Sequence, residues 1–321
     1  MRAESRHIHV IKMLDDNNSD LIISEGCRAI DYGIDREVQL MQHHLGVTDV
    51  HYYHISGTNF SRARLEEVLD EGLAYQERDI IFLVYAGHGY RELGSRSRFP
   101  KLYFNDYQNG LEFEELRQAL IQKNPSLLLS LVVACNVTQL NQNEPPPFLP
   151  DGNPPPPPSG SPSVAYLEYS TLSPKGGRGV LDYRLRRAEP YFQLFADQTN
   201  YTKVVDLLSA DQEFFTFITR DGGIFFSEVL YTFQEIFSDQ RYHSWEEICT
   251  SISQHTVQRS AGRNQLQQPL CQYQIYFAAG PEVIAQRSMP PEECRARAQK
   301  LKVLYRVNLK ALRHQHRLQM R

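Results

Sequence analysis

The chain has 321 residues, 41% of them hydrophobic and 22% charged, with a formal net charge of −4. That is enough for one large α/β domain or two small ones, and the near-neutral, slightly acidic balance gives no reason to expect nucleic acid as a partner. No run of about 18 apolar residues offers a membrane span, the N-terminal MRAESRHIHV lacks the apolar core of a signal peptide, and the five cysteines are odd in number and irregular in spacing, so free thiols in a cytoplasmic protein are expected.

In chain order, residues 7–14 (HIHVIKML) predict the first strand, and residues 15–25 (DDNNSDLIISE) begin as a polar loop. Residues 34–45 (IDREVQLMQHHL) have helical spacing, with Val38, Leu40, Met41 and Leu45 inward and Gly46 as the stop. A β-branched and aromatic strand follows at 49–55 (DVHYYHI). Ser61 then caps a helix reaching about residue 75, with Leu65, Val68, Leu69 and Leu73 as its stripe. Residues 79–86 (DIIFLVYA) and 127–133 (LLLSLVV) are continuous apolar runs, the pattern of strands buried on both faces in a parallel sheet. Between them, 91–100 reads as a polar loop, 101–105 as a short strand and 111–122 as a helix. Strands alternating with helices predict a mostly parallel central sheet with right-handed crossovers.

The pattern then breaks. Residues 141–162 hold two proline runs, 145–147 and 154–158, and predict a mobile, polyproline-prone loop. Strands are expected again at 203–210 and 214–219, helices at 224–237 and from Ser244 to about 258, and a last strand at 271–278. From Pro290 a helix rich in Arg and Lys is expected, carrying Leu301, Leu304, Tyr305, Leu309 and Leu312 as an apolar stripe. It could pack on its own domain, dock a partner, or attach electrostatically to an anionic membrane or nucleic acid.

The two buried strands each end in a reactive residue. The first breaks at Gly87-His88-Gly89 and the second at Ala134-Cys135-Asn136. Functional residues of open α/β sheets gather beyond the carboxyl ends of the strands, so the imidazole and the thiol are expected at neighbouring points on one edge. A buried cysteine by itself is ordinarily inert packing. A histidine between two glycines makes little sense as packing, since glycine admits a close backbone approach and leaves the ring open. Together they suit a thiol peptidase, with His88 as general base and acid, the Cys135 thiolate as nucleophile, and the backbone N–H groups of Gly89 and Cys135 as oxyanion donors. No third catalytic residue is identifiable.

Tyr85-Ala-Gly-His-Gly89 resembles the [YF]-[SA]-G-H-G motif of caspase-like cysteine peptidases of the caspase and metacaspase type, in the manner of a prokaryotic caspase homologue. The ACN at 134–136 is similar to their cysteine strand, LLSADQEFFTF (207–217) to the metacaspase S-G-x-x-D-x-Q segment, GGIFFSEVL (222–230) to the G-G-x-F helix start, and EGCRAID (25–31) to G-C-x-N-D. The 47-residue separation of His88 and Cys135 fits a histidine roughly 50 residues upstream of the cysteine. The resemblance implies a caspase-like three-layer α/β/α sandwich. Residues 1–140 would be a large-subunit-like half, 141–202 an inter-subunit-type loop, 203–285 a small-subunit-like half and 286–321 the basic helix.

It also implies a polypeptide substrate and cleavage through an acyl-enzyme. A basic P1 residue (the one before the scissile bond) is the preferred expectation, with Cys27, Asp31 and Asp211 as substrate-binding candidates. The acid that metacaspases carry two positions before the nucleophile is Val133 here, which weakens that pocket and admits an uncharged P1. The trigger would be an activating partner, a small ligand or self-cleavage; 175–178 (KGGR) and Arg184, Arg186 and Arg187 offer basic sites. No cofactor or metal is expected; calcium, needed by many metacaspases, is the one candidate, with Asp15 and Asp16 as adjacent acids. The alternative to a peptidase is a non-catalytic scaffold or signalling protein with the same fold; transamidation or ligation would use the same acyl-enzyme.

Overall fold

The computed structural model describes residues 7–45, 47, 49–73, 75, 78–139, 194–195, 201–238, 244–262 and 267–277. The expected Pro-rich loop with its basic self-cleavage sites, and the expected basic helix from 290, lie outside the described residues.

The order is β1 (Ile8–Leu14), α1 (Leu21–Leu45), β2 (Val50–Ser56), α2 (Arg62–Glu67), β3 (Ile80–Ala86), β4 (Gly89–Glu92), β5 (Lys101–Phe104), β6 (Tyr107–Glu112), α3 (Phe113–Gln122), β7 (Leu127–Val133), β8 (Thr138–Gln139), β9 (Tyr201–Leu208), α4 (Ile224–Ser238), α5 (Trp245–Gly262) and β10 (Leu270–Phe277). Six strands form the central sheet in the order β10-β9-β7-β3-β1-β2. All neighbours are parallel except β10, which runs antiparallel to β9. The chain is therefore α/β with a mostly parallel central sheet.

Alternation along the strands explains the layers. Ile80, Phe82, Val84 and Ala86 enter a cluster with Ile30 and Ile34 of α1, Phe225 and Phe226 of α4, and Ile248 and Ile252 of α5. Ile81, Leu83 and Tyr85 point the other way, into a cluster with Leu65 of α2, Phe113 and Leu116 of α3, and Leu102 and Phe104 of β5. With a buried cluster on each face, helices lie on both sides of the sheet.

Several elements depart from the sequence reading. Helix α1 begins at Leu21, well before the expected start at 34. Its buried stripe, Ile23, Cys27, Ile30, Ile34, Val38, Met41 and Leu45, is one continuous helical face interrupted by Gly26 and Gly33. Those glycines are there for contact: a Cβ on Gly26 would stand 2.5 Å from the Thr219 carbonyl oxygen, and one on Gly33 would stand 2.7 Å from Phe226 Cζ. Helix α2 is short, and the chain after it passes into one wide turn, Val68–Gly72. The loop expected at 91–100 opens with β4, and the helix expected from 111 is preceded by β6. With β5 and β8 they make a second, four-stranded sheet in the order β6-β5-β4-β8. The strand expected at 214–219 does not form; that backbone instead serves the Cys135 loop.

Candidate active site

The register of the central sheet sets the site. Leu14 is opposite Ala86, Ala86 opposite Val133, and Val132 opposite Leu208. The carboxyl ends of β1, β3, β7 and β9 are thus level, and the chain leaves them at Asp15, Gly87, Ala134 and Ser209.

The histidine loop lies directly on the cysteine loop. Gly87 N–H donates to the Val133 carbonyl at 3.2 Å. At Gly89 a Cβ would fall 2.5 Å from the Cys135 carbonyl oxygen and 2.8 Å from Ala134 Cβ, so this approach requires glycine. Tyr85, buried in the strand, turns its hydroxyl back to donate to the His88 carbonyl at 2.6 Å, which fixes the backbone of the histidine.

His88 meets the loop that follows β1. Asn18 Nδ2 lies 3.3 Å from His88 Nε2 and donates to Asp15 Oδ2 at 2.6 Å, while Asn18 Oδ1 accepts from Asp20 N–H at 2.8 Å. The carboxylate and the backbone N–H at its two ends thus orient the Asn18 amide. Burial pushes the Asp15 carboxyl up from the usual range, partly offset by the Asn18 hydrogen bond and by His88. Burial lowers the His88 pKa, partly offset by the negative charges of Asp15 and Asp20.

Cys135 is half-buried, and its sulfur accepts from Thr216 N–H at 3.4 Å. Burial raises the thiol pKa, with the Thr216 N–H pulling the other way. The flanking N–H groups are committed: Ala134 N–H donates to Ser209 Oγ at 3.0 Å and Asn136 N–H to the Phe214 carbonyl at 3.1 Å. Burial thus favours the neutral form of both the thiol and the imidazole.

Of the substrate-binding candidates, Asp211 stands beyond β9 on the same sheet edge, where its carboxylate takes a two-pronged ion pair from Arg98, Nε to Oδ1 at 2.9 Å and Nη2 to Oδ2 at 2.7 Å. Cys27 is wholly buried on α1, its sulfur 3.5 Å from the Ala86 carbonyl, and its thiol pKa is raised by burial and then by Asp15 and Asp16. Asp31 pairs with buried Lys12 of β1 at 2.5 Å, alongside Asp35 at 2.8 Å, and so ties α1 to the sheet.

Asp16 accepts from Gly57 N–H at 2.7 Å, and among the described residues no group of three or more His, Cys, Asp or Glu could hold a metal ion. Also among the described residues, no helix is long and apolar enough to cross a membrane. The sequence reading weighs Asp15 only as a calcium candidate and assigns no role to Asn18 or Thr216. The sheet-edge rule that picked out His88 and Cys135 also applies to the DDNNSD that follows β1, and would have found the first two.

No family model matches the chain, and no curated protein matches it. Among solved structures it is similar to protein GSU0716 from Geobacter sulfurreducens, with a TM-score of 0.44 and 14% identity over 88% of this chain and 97% of that one. A likeness at that level identifies neither a family nor an activity.

Proposed function

We propose that the chain is a cysteine endopeptidase of the caspase-like type, acting on polypeptides in a thiol-reducing compartment such as the cytoplasm. One observation carries this reading: the Gly87-His88-Gly89 break lies against the Ala134-Cys135 break, at a contact that only glycine permits. Histidine and cysteine of a thiol peptidase must be neighbours, and the contact between the two strand-end loops supports that reading.

In this mechanism the resting dyad is neutral. His88 takes the thiol proton as Cys135 attacks the substrate carbonyl, rather than holding a preformed ion pair. The N–H groups of Gly89 and Cys135 receive the oxyanion. The protonated His88 then passes its proton to the leaving amine, and water, deprotonated by His88, releases the acyl group. Asn18 Nδ2 donates to the Nε2 lone pair of the neutral ring, so this contact opens as His88 takes the thiol proton, and the Asp15 charge favours the imidazolium that forms in between. Asp211 would select a basic P1 side chain.

A fluorogenic panel with Arg, Lys, Asp and Leu at P1, with and without calcium, tests the reading against Cys135→Ala. Turnover by the wild type that the variant lacks is expected. Equal signals from the two proteins under every condition would sink it. The scaffold reading is favoured by the same burial that holds the thiol neutral, and it predicts that equality.

A further inference from the structure

Arg98 and Asp211 are 113 positions apart in the chain, yet they meet in a pair whose two halves differ sharply in exposure. The Arg98 side chain is 55% exposed and the Asp211 side chain 16%. The carboxylate is therefore sunk, and the guanidinium lies over it from the solvent side. Arg98 and the residue before Asp211 are both tied to the residue after Cys135: Asn136 Nδ2 donates to the Arg98 carbonyl at 2.9 Å and to the Ala210 carbonyl at 3.4 Å. Asn136 itself is fully buried, so this link is a fixed part of the site. The Asp211 backbone is held from the far side, with its N–H donating to the Gln268 carbonyl at 2.6 Å.

The loop bearing Arg98 is anchored separately. Buried Arg91 donates to the Ser97 carbonyl, and to the Ser95 carbonyl at 3.0 Å, so the backbone of the loop stays put while the Arg98 side chain reaches across. A planar fork binding a carboxylate with two parallel N–H groups is also how an incoming arginine side chain would bind.

We propose that Arg98 is a built-in competitor for the Asp211 carboxylate, so that a guanidinium or amidinium group reaches the P1 site of the proposed function only by displacing Arg98. This rests on the peptidase reading for its consequence in catalysis, though not for the binding itself. Displacement is cheap. An exposed ion pair contributes about 0.2–1 kcal/mol, a factor of about five in affinity at most. Arg98 therefore tunes the pocket without sealing it. It also neutralises the Asp211 carboxylate when no basic side chain is present, which lets an uncharged P1 residue lie across the pocket without facing a bare, half-buried charge.

The test is benzamidine binding to the full chain in a Cys135→Ala background, followed by NMR or calorimetry. Adding Arg98→Ala is expected to tighten binding about fivefold, and adding Asp211→Asn to that variant to remove the gain. Arg96→Ala is the control, because exposed Arg96 belongs to the same loop and carries the same charge. No gain from Arg98→Ala, an equal gain from Arg96→Ala, or a gain that survives Asp211→Asn each overturns the proposal.

The activity arm is separate. With Cys135 intact, Arg98→Ala is expected to raise kcat/KM for a P1-Arg substrate and leave a P1-Leu substrate unchanged. Benzamidine binding that follows the pattern in a protein that cleaves nothing would uphold the subsite and refute the peptidase.

Discussion

Glu37 is 4% exposed on the inward face of α1, between Ile34 and Met41, and burial, eased slightly by Arg36, raises its pKa from 4.5 to about 7. The sign follows from proton counting. Below about pH 4.5 the carboxyl is protonated in both the folded and the unfolded chain and costs nothing. Between about 4.5 and about 7 the unfolded chain has released the proton and the folded chain retains it, so stability falls as pH rises. Above the folded value the full cost is present. A shift of about 2.5 units corresponds to about 3 kcal/mol.

Glu37→Gln keeps the shape and removes the titration. In urea unfolding, the stability of the variant relative to wild type is expected to be about 3 kcal/mol more favourable at about pH 8 than at about pH 4.5. Two pH profiles that stay parallel within about 1 kcal/mol would refute the assignment of Glu37 as a buried, neutral carboxyl.

Two other substitutions test the frame of the molecule. Arg117 of α3 is 2% exposed and donates to fully buried Asp206 of β9 at 2.8 Å, and also to Tyr276 at 3.1 Å and to Gln274. Arg117→Met leaves the Asp206 carboxylate buried without its cation and is expected to cost about 3–5 kcal/mol in chemical denaturation, most of it recovered by adding Asp206→Leu. At the start of α5 the Ser244 hydroxyl accepts from Glu247 N–H at 3.2 Å while the Glu247 carboxylate accepts from Ser244 N–H at 2.9 Å. Ser244→Ala is therefore expected to lower stability by about 1 kcal/mol, seen as a lower melting temperature.

What could be read from the sequence was what burial alone decides. β3 and β7 are apolar at every or nearly every position because both faces are covered, and their limits are found within one residue. The helical spacing is clear only from 34, whereas α1 runs back to Leu21 through Gly26 and Gly33, places where Thr219 and Phe226 press on the helix. β4 and β6 (GYRE and YQNGLE) are short and polar, and only their partners in the second sheet make them strands. The segment at 214–219 is rich in β-formers, but its backbone is drawn to the Cys135 loop, with Phe214 accepting from Asn136 and Thr216 donating to the thiol. Contacts of that kind have no local signature, and neither does the pairing of Arg98 with Asp211.

The placing of the candidate site is a property of register rather than of any one loop. β1 contributes Asp15 and Asn18, β3 contributes His88, β7 contributes Cys135 and β9 contributes Asp211, each within a few residues of its strand's last ladder position. Side chains along a strand alternate between faces, so a slip of one residue in β7 would exchange Leu129 and Leu131 with Leu128 and Val132 between the two clusters. The same slip would carry Cys135 away from Gly89. Both clusters therefore hold the register that keeps the histidine and cysteine loops in contact. Volume-conserving changes inside the strands should leave the site intact, and a single-residue insertion within β7 should abolish it even where the chain still folds.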